Sequence, residues 1–174
     1  VGDALTFTGG LDTTAAVDAG DTTGTTLFGV LTSGGTQIDL GPVTLAGTST
    51  IDTAGGVLNV LDADGVGVDG IATAGNALTL NGGATGVLTV STLSGGGALT
   101  LTDSGSTTFN GAVTAGATDL QLTTGTVSFA GDTSLTSLVT STDGYGLSFT
   151  GASNSVGGAT VLQNTCLLYT SDAA

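Results

Sequence analysis

The charged side chains of this 174-residue chain are all carboxylates, which removes most of the side-chain chemistry an enzyme would need. All 14 charged side chains are aspartates, lysine, arginine and histidine are absent, and the formal net charge is −14. The densest group is Asp62-Ala63-Asp64-Gly65-Val66-Gly67-Val68-Asp69-Gly70. Alternating aspartates with glycine at the bend resemble the opening of a calcium loop, in which several hard oxygens converge on one ion. Val66 occupies the third ligand position, however, and no glutamate closes the loop. The Gly-Gly-x-Gly-x-Asp nonapeptide of calcium-stapled β-rolls is also missing. The segment therefore reads as a loop between structural units, and whether calcium binds near Asp62, Asp64 and Asp69 stays open at this level.

Paired carboxylates can also hydrolyse glycosides when two are held about 5–9 Å apart with opposed pKa shifts. Lyase chemistry needs in addition a cationic base or charge stabiliser, which this composition lacks. Serine and threonine are plentiful, yet without histidine or lysine no side chain activates them as nucleophiles. The expectation is a non-enzymatic chain with no catalytic, cofactor-binding or metal site. Nucleic acid is excluded as a partner because no side chain can neutralise a phosphate. Three Thr-x-Thr pairs, Thr6/Thr8, Thr48/Thr50 and Thr100/Thr102, point to a further possibility, a water-ordering face like that of ice-binding solenoids. Such a face needs the pair in nearly every unit, whereas Thr108/Asn110 and Ser128/Ala130 interrupt it, so ordinary exposed strand threonines are the preferred reading.

The elements that carry these residues are short strands. Runs such as Ala77-Leu78-Thr79-Leu80-Asn81, Val87-Leu88-Thr89-Val90-Ser91, Ala98-Leu99-Thr100-Leu101-Thr102 and Asp119-Leu120-Gln121-Leu122-Thr123 alternate apolar with polar residues. A period of two puts Leu or Val inward and Thr, Ser or Asn outward. Glycine-rich breaks such as Asn81-Gly82-Gly83 and Gly95-Gly96-Gly97 separate the runs. Pro42 falls at the start of a strand, where a missing donor is tolerated. Aromatic residues make up only 4% of the chain and tryptophan and methionine are absent, so the core must be thin and aliphatic. No apolar run approaches the roughly 20 residues that span a bilayer.

A small-polar, Phe, x, Gly motif recurs at Thr6-Phe7-Thr8-Gly9, Thr108-Phe109-Asn110-Gly111, Ser128-Phe129-Ala130-Gly131 and Ser148-Phe149-Thr150-Gly151. Leucine replaces phenylalanine in Thr44-Leu45-Ala46-Gly47 and Thr79-Leu80-Asn81-Gly82, and Phe28-Gly29 is a shortened relative. A repeat of about 20 residues means stacked units that cannot bury their apolar face alone. The prediction is an all-β, single-stranded, right-handed parallel β-helix, a β-solenoid of about eight coils of roughly 20 residues, forming a rod on the order of 40 Å long. The phenylalanines read as core, and the aspartates read as mostly loop residues beside glycine or threonine.

The segments Gly41 to Thr53, Ala77 to Gly83 and Ser106 to Val113 resemble the repeats of filamentous-haemagglutinin-like and autotransporter-passenger-like bacterial surface proteins. The resemblance spans essentially Val1 to Thr165. It implies a right-handed parallel β-helix secreted across the outer membrane to the bacterial cell surface, acting as the rigid stalk of a large adhesin. Its partners would be neighbouring repeats of the same chain and a host-cell or matrix receptor, with no membrane insertion by this segment. A surface-layer or biofilm-matrix repeat protein, calcium-bridged between acidic faces, is the alternative; an ice-binding solenoid and a polysaccharide-active β-helix enzyme are minor ones. The last nine residues, Cys166 to Ala174, break the composition and resemble the conceptual translation of a transposase-type sequencing adaptor. The expected organisation is a solenoid segment over 1–165, an interior fragment of a longer protein, followed by a non-native tail over 166–174.

Overall fold

A strand that is apolar on one side and hydroxylated on the other buries its apolar side economically if the chain turns, forms two more such strands, and returns one layer higher. The computed structural model describes residues 4–20, 22–61, 70–165 and 168–170, and shows this arrangement. Among the described residues all regular structure is strand, and every strand pairing is parallel. Three strand stacks form the three sides of the coil. Side one stacks Leu5, Thr25, Val43, Ile71, Leu93, Val113, Thr133 and Asn154. Side two stacks Leu11, Leu31, Ile51, Leu80, Leu101, Leu120 and Thr140. Side three stacks Val17, Ile38, Leu58, Leu88, Thr107, Val127, Leu147 and Leu168.

The fold is thus a β-solenoid of about seven turns between its first and eighth rungs, consistent with a right-handed parallel β-helix. Seven steps of about 4.8 Å set the outer rungs about 34 Å apart. The other two sides of each coil supply the crossover that parallel pairing needs. Most coils hold about 20 residues. The drift in the repeat is concentrated in one place: Thr25 to Val43 is a short coil, and Val43 to Ile71 is a long one. The extra residues of the long coil include Asp62, Asp64 and Asp69, which lie outside the described residues.

Packing follows from volume. On side three the inward column runs Ala19, Leu40, Val60, Val90, Phe109, Phe129, Phe149, aliphatic at first and aromatic in its last three rungs. In the coils of Phe129 and Phe149 the other sides mix small inward residues, Ala115, Thr118, Thr133 and Thr140, with Val113, Leu120, Leu135 and Leu138. Two of the inward hydroxyls are satisfied locally, Thr118 and Thr133 donating to the carbonyls of Gly116 and Gly131, two residues back, whereas the buried Thr123 hydroxyl has no partner among the described residues. The three rings stack at centroid distances of 5.1 and 4.8 Å, nearly parallel.

The shared Phe motif does not mark one column. Phe7 stacks with Leu27 and Leu45 on side one, whereas Leu80 belongs to side two and Phe109, Phe129 and Phe149 to side three. All three corners impose similar demands, so similar words recur on different sides. Phe28 is not core but 49% exposed, lying over the Gly47 backbone, where an added Cβ would meet its ring. Leu122 was expected inward and is exposed: the strand bends after Leu120, and Thr123 takes the inward place.

Corners are closed by turns with two successive positive φ angles. Gly34/Gly35, Ala54/Gly55 and Ala74/Gly75 all show this, and the N–H of Thr36, Gly56 and Asn76 donates back to Ser33, Thr53 and Thr73. Such turns favour glycine at both central places. Ala54 and Ala74 instead sit in the left-handed region at φ 49° and 50°. Ala74→Gly is therefore expected to raise stability by about 0.5–1 kcal/mol, read from urea denaturation, because relief of the left-handed strain outweighs glycine's extra unfolded-state entropy.

Candidate functional site

Eight aspartates lie among the described residues, and six of them sit on strands rather than in loops: Asp12, Asp18, Asp39, Asp52, Asp103 and Asp119. That corrects the expectation of loop placement. Outward strand positions are solvated, so a carboxylate is tolerated there if its neighbours one rung away do not repel it. On side two the outward column reads Asp12, Thr32, Asp52, Asn81, Asp103. A neutral donor separates each acid from the next, which sets carboxylates about 9.6 Å apart, beyond the screening length of about 8 Å at physiological salt. The spacers also donate: Thr32 Oγ1 to Asp12 at 2.6 Å, and Asn81 Nδ2 to Asp52 at 3.0 Å. The second Asp52 oxygen accepts the Ala54 N–H at 2.8 Å.

Side three breaks this alternation once. Asp18 and Asp39 occupy consecutive rungs, followed by Asn59. Asp39 is held on both oxygens, by the Asn59 side-chain amide at 2.7 Å and by the Gln37 amide. Among the described residues Asp18 accepts only a long bond, from the Gly20 N–H. The pair lines a shallow open concavity with Gln37 and Leu61. A second concavity, between the fourth and seventh coils, is lined by Asp103, Leu122 and Asp143, with Asp143 accepting a 2.6 Å bond from Ser141. Among the described residues no group of three or more metal-ligating side chains converges. What these carboxylates do is accept hydrogen bonds from amides and hydroxyls of the same chain, in place of the cations that the chain lacks.

The stacked pair was missed in the sequence, although a signal existed. Val17-Asp18-Ala19 and Ile38-Asp39-Leu40 share an apolar, Asp, apolar pattern one coil length apart. The Thr-x-Thr pairs fall on different sides: Thr6 and Thr8 on side one, Thr48, Thr50, Thr100 and Thr102 along side two. Side one does carry a single file of outward hydroxyls, Thr6, Thr26, Thr44, Ser94, Thr114, Ser134 and Ser155, with Ala72 as its one gap. Beside Thr8 in the next rung stands Phe28, so a second file does not form.

Among the described residues Tyr145 is the buried titratable group. It is fully enclosed, and its hydroxyl donates to the Leu120 carbonyl at 3.2 Å. Burial pushes its phenol above the ordinary value of 10.0, partly offset by hydrogen bonding with Thr140 and Ser141. The folded chain thus keeps Tyr145 neutral where the unfolded chain ionises it. Stability from this group is present below about pH 10 and is lost as pH rises through the raised folded value. Urea denaturation at pH 8 and pH 11 should show that loss in the parent chain and a smaller loss in Tyr145→Phe, which at pH 8 costs about 1 kcal/mol for the missing hydrogen bond.

Comparison with protein-family models, curated proteins and solved structures finds no match to this chain. The class that can be stated is that of the fold, a parallel β-solenoid repeat protein.

Proposed function

We propose that this segment is a rigid stalk of a large secreted bacterial adhesin, displayed at the cell surface as a spacer between the cell and a receptor-binding region. The observation that carries the reading is the unbroken stacking of all three sides through the coils, with an apolar interior and polar groups bonded within the chain. Such a stack transmits its stiffness from coil to coil, each held by ladder bonds to its neighbours. Many outward residues are hydroxylated or acidic, apart from scattered apolar ones such as Phe28, Val30 and Leu122, and a net charge of −14 with no cation favours a soluble rod by self-repulsion. A spacer should lengthen in proportion to the number of coils. Small-angle scattering on one copy and on a tandem fusion of two should therefore show the longest dimension roughly doubling. Growth closer to the square root of chain length, as for a flexible linker, would sink the stalk reading.

Asp18 stacked on Asp39 supports a second reading, a matrix or surface-layer repeat whose acidic faces are bridged by calcium. Millimolar calcium would then shift the sedimentation coefficient upward and a chelator would reverse it, with Asp18→Asn weakening the response. Indifference to both calcium and chelator favours the stalk.

A further inference from the structure

Asn-Gly is the dipeptide at which a side-chain amide most readily turns into a carboxyl, because glycine leaves its own nitrogen uncrowded for attack. The chain has two such steps, Asn81-Gly82 and Asn110-Gly111, and the fold treats them oppositely. We propose that Asn110 is a deamidation site of the folded chain, that Asn81 is shielded from the same reaction, and that the isoaspartyl product at Asn110 opens the ladder beside the fifth coil. Asn81 lies half-buried inside a strand, with its amide held at both ends. Its Nδ2 donates to Asp52 at 3.0 Å, and its Oδ1 accepts the Gly83 N–H at 3.1 Å. Turning its side-chain carbon toward the Gly82 nitrogen has to disturb both bonds. Asn110 is exposed in the corner between Phe109 and Val113, and its side-chain amide makes no hydrogen bond among the described residues. What restrains it is a backbone bond from the Gly111 N–H to the Ser91 carbonyl, so the reaction follows how often this corner opens locally.

The Gly111 nitrogen attacks the side-chain carbonyl carbon of Asn110. A carbon-nitrogen bond forms, the bond from that carbon to Nδ2 breaks, and Nδ2 leaves as ammonia with the Gly111 proton. Water then hydrolyses the five-membered imide. Opening at the side-chain carbonyl gives aspartate; opening at the main-chain carbonyl gives isoaspartate, in which the chain runs on through the side-chain carbon. Nothing is oxidised or reduced. The two products differ in what they do to the stack. Aspartate at this place stands between Ser91 and Ala130 one rung away on either side, both neutral, so its charge is tolerated. Isoaspartate lengthens the main chain by one carbon just before Gly111. There successive coils meet backbone to backbone: a Cβ on Gly131 would lie 2.3 Å from the Gly111 carbonyl carbon and 2.7 Å from the Ala112 nitrogen. The Asn110 and Gly111 N–H groups, which donate to Val90 and Ser91, cannot both keep their partners across the added carbon. The break falls next to Phe109 and its stack on Phe129.

Incubation of the 174-residue chain in mildly alkaline buffer, folded and in urea, tests this by peptide mapping with mass spectrometry. A protease that cuts before aspartate but not before isoaspartate tells the two products apart. The expected result is conversion at Asn110 about tenfold or more faster than at Asn81 in the folded chain, with the two rates converging in urea. Asp52→Ala, which removes the Nδ2 acceptor, should raise the Asn81 rate and leave that of Asn110 unchanged. The aged chain should gain a second urea transition at a lower midpoint, in proportion to its isoaspartate, and Asn110→Ser should not. Equal conversion of the two asparagines in the folded chain, or conversion of Asn81 first, would overturn the proposal. So would an Asn110 that stays intact in the folded chain while the urea-treated chain converts, or an isoaspartate-rich chain that unfolds at the parent midpoint.

Discussion

Phe129→Ala is expected to lower unfolding stability by about 3–5 kcal/mol, the largest loss from any single truncation in this chain. Phe129 is fully buried, and it is the middle ring of three, in contact with Phe109 below and Phe149 above. Its removal forfeits both stacking contacts and leaves a cavity between rungs that their ladder bonds hold apart. Phe149→Ala should cost less, since Phe149 stacks on one ring only and is 7% exposed. Urea denaturation followed by circular dichroism reads both. Equal effects at the two positions would mean that the rings act as separate apolar plugs and not as a stack.

Gly131→Ala is expected to cost at least about 3 kcal/mol although it adds a single methyl group. The glycines two residues after each stacked phenylalanine, Gly111, Gly131 and Gly151, form a corner where successive coils approach through their backbones. A Cβ on Gly131 would lie 2.3 Å from the Gly111 carbonyl carbon and 2.4 Å from its oxygen. A Cβ on Gly151 would lie 2.2 Å from the Gly131 oxygen. Backbone cannot swing aside as a long side chain could, so the ladder must open at that corner. Gly96→Ala is an informative comparison, because a Cβ there meets nothing and only the positive φ of 68° opposes it. A smaller cost at Gly96 than at Gly131, by the same denaturation assay, separates crowding from backbone strain.

These two effects show which part of the fold was legible in the sequence. The Phe-x-Gly words at 109, 129 and 149 recur at one interval because each names one inward ring and one crowded corner, and that regular return favours a solenoid over an antiparallel sandwich. Phe7 and Leu80 carry similar words for similar reasons on other sides of the coil, and sequence alone could not assign the side. Leu122 was hidden for a different reason: the alternation shifts by one between Leu120 and Thr123, and no single residue type announces the shift, whereas Phe28 is outward by plain alternation after Leu27. The aspartates were legible as solvated residues but not as columns. The Asp, Thr, Asp, Asn, Asp order on side two exists only once strands far apart in sequence are placed in register. The group singled out first, Asp62, Asp64 and Asp69, lies outside the described residues, so the carboxylate geometry seen here is that of Asp18, Asp39 and Asp52.

Pairwise electron-spin distances along the outward hydroxyl file of side one measure the stacking itself. With Cys166 replaced by serine, one label at Thr26 is combined in turn with a second at Thr114, Ser134 or Ser155, which stand four, five and six rungs away. A parallel solenoid requires distances of about 19, 24 and 29 Å, rising by one strand spacing at each step although the sequence separation grows by about 20 residues each time. Distances that fail to rise evenly with rung number, as in an antiparallel sandwich where successive strands return past one another, would contradict the fold and the functional reading built on it.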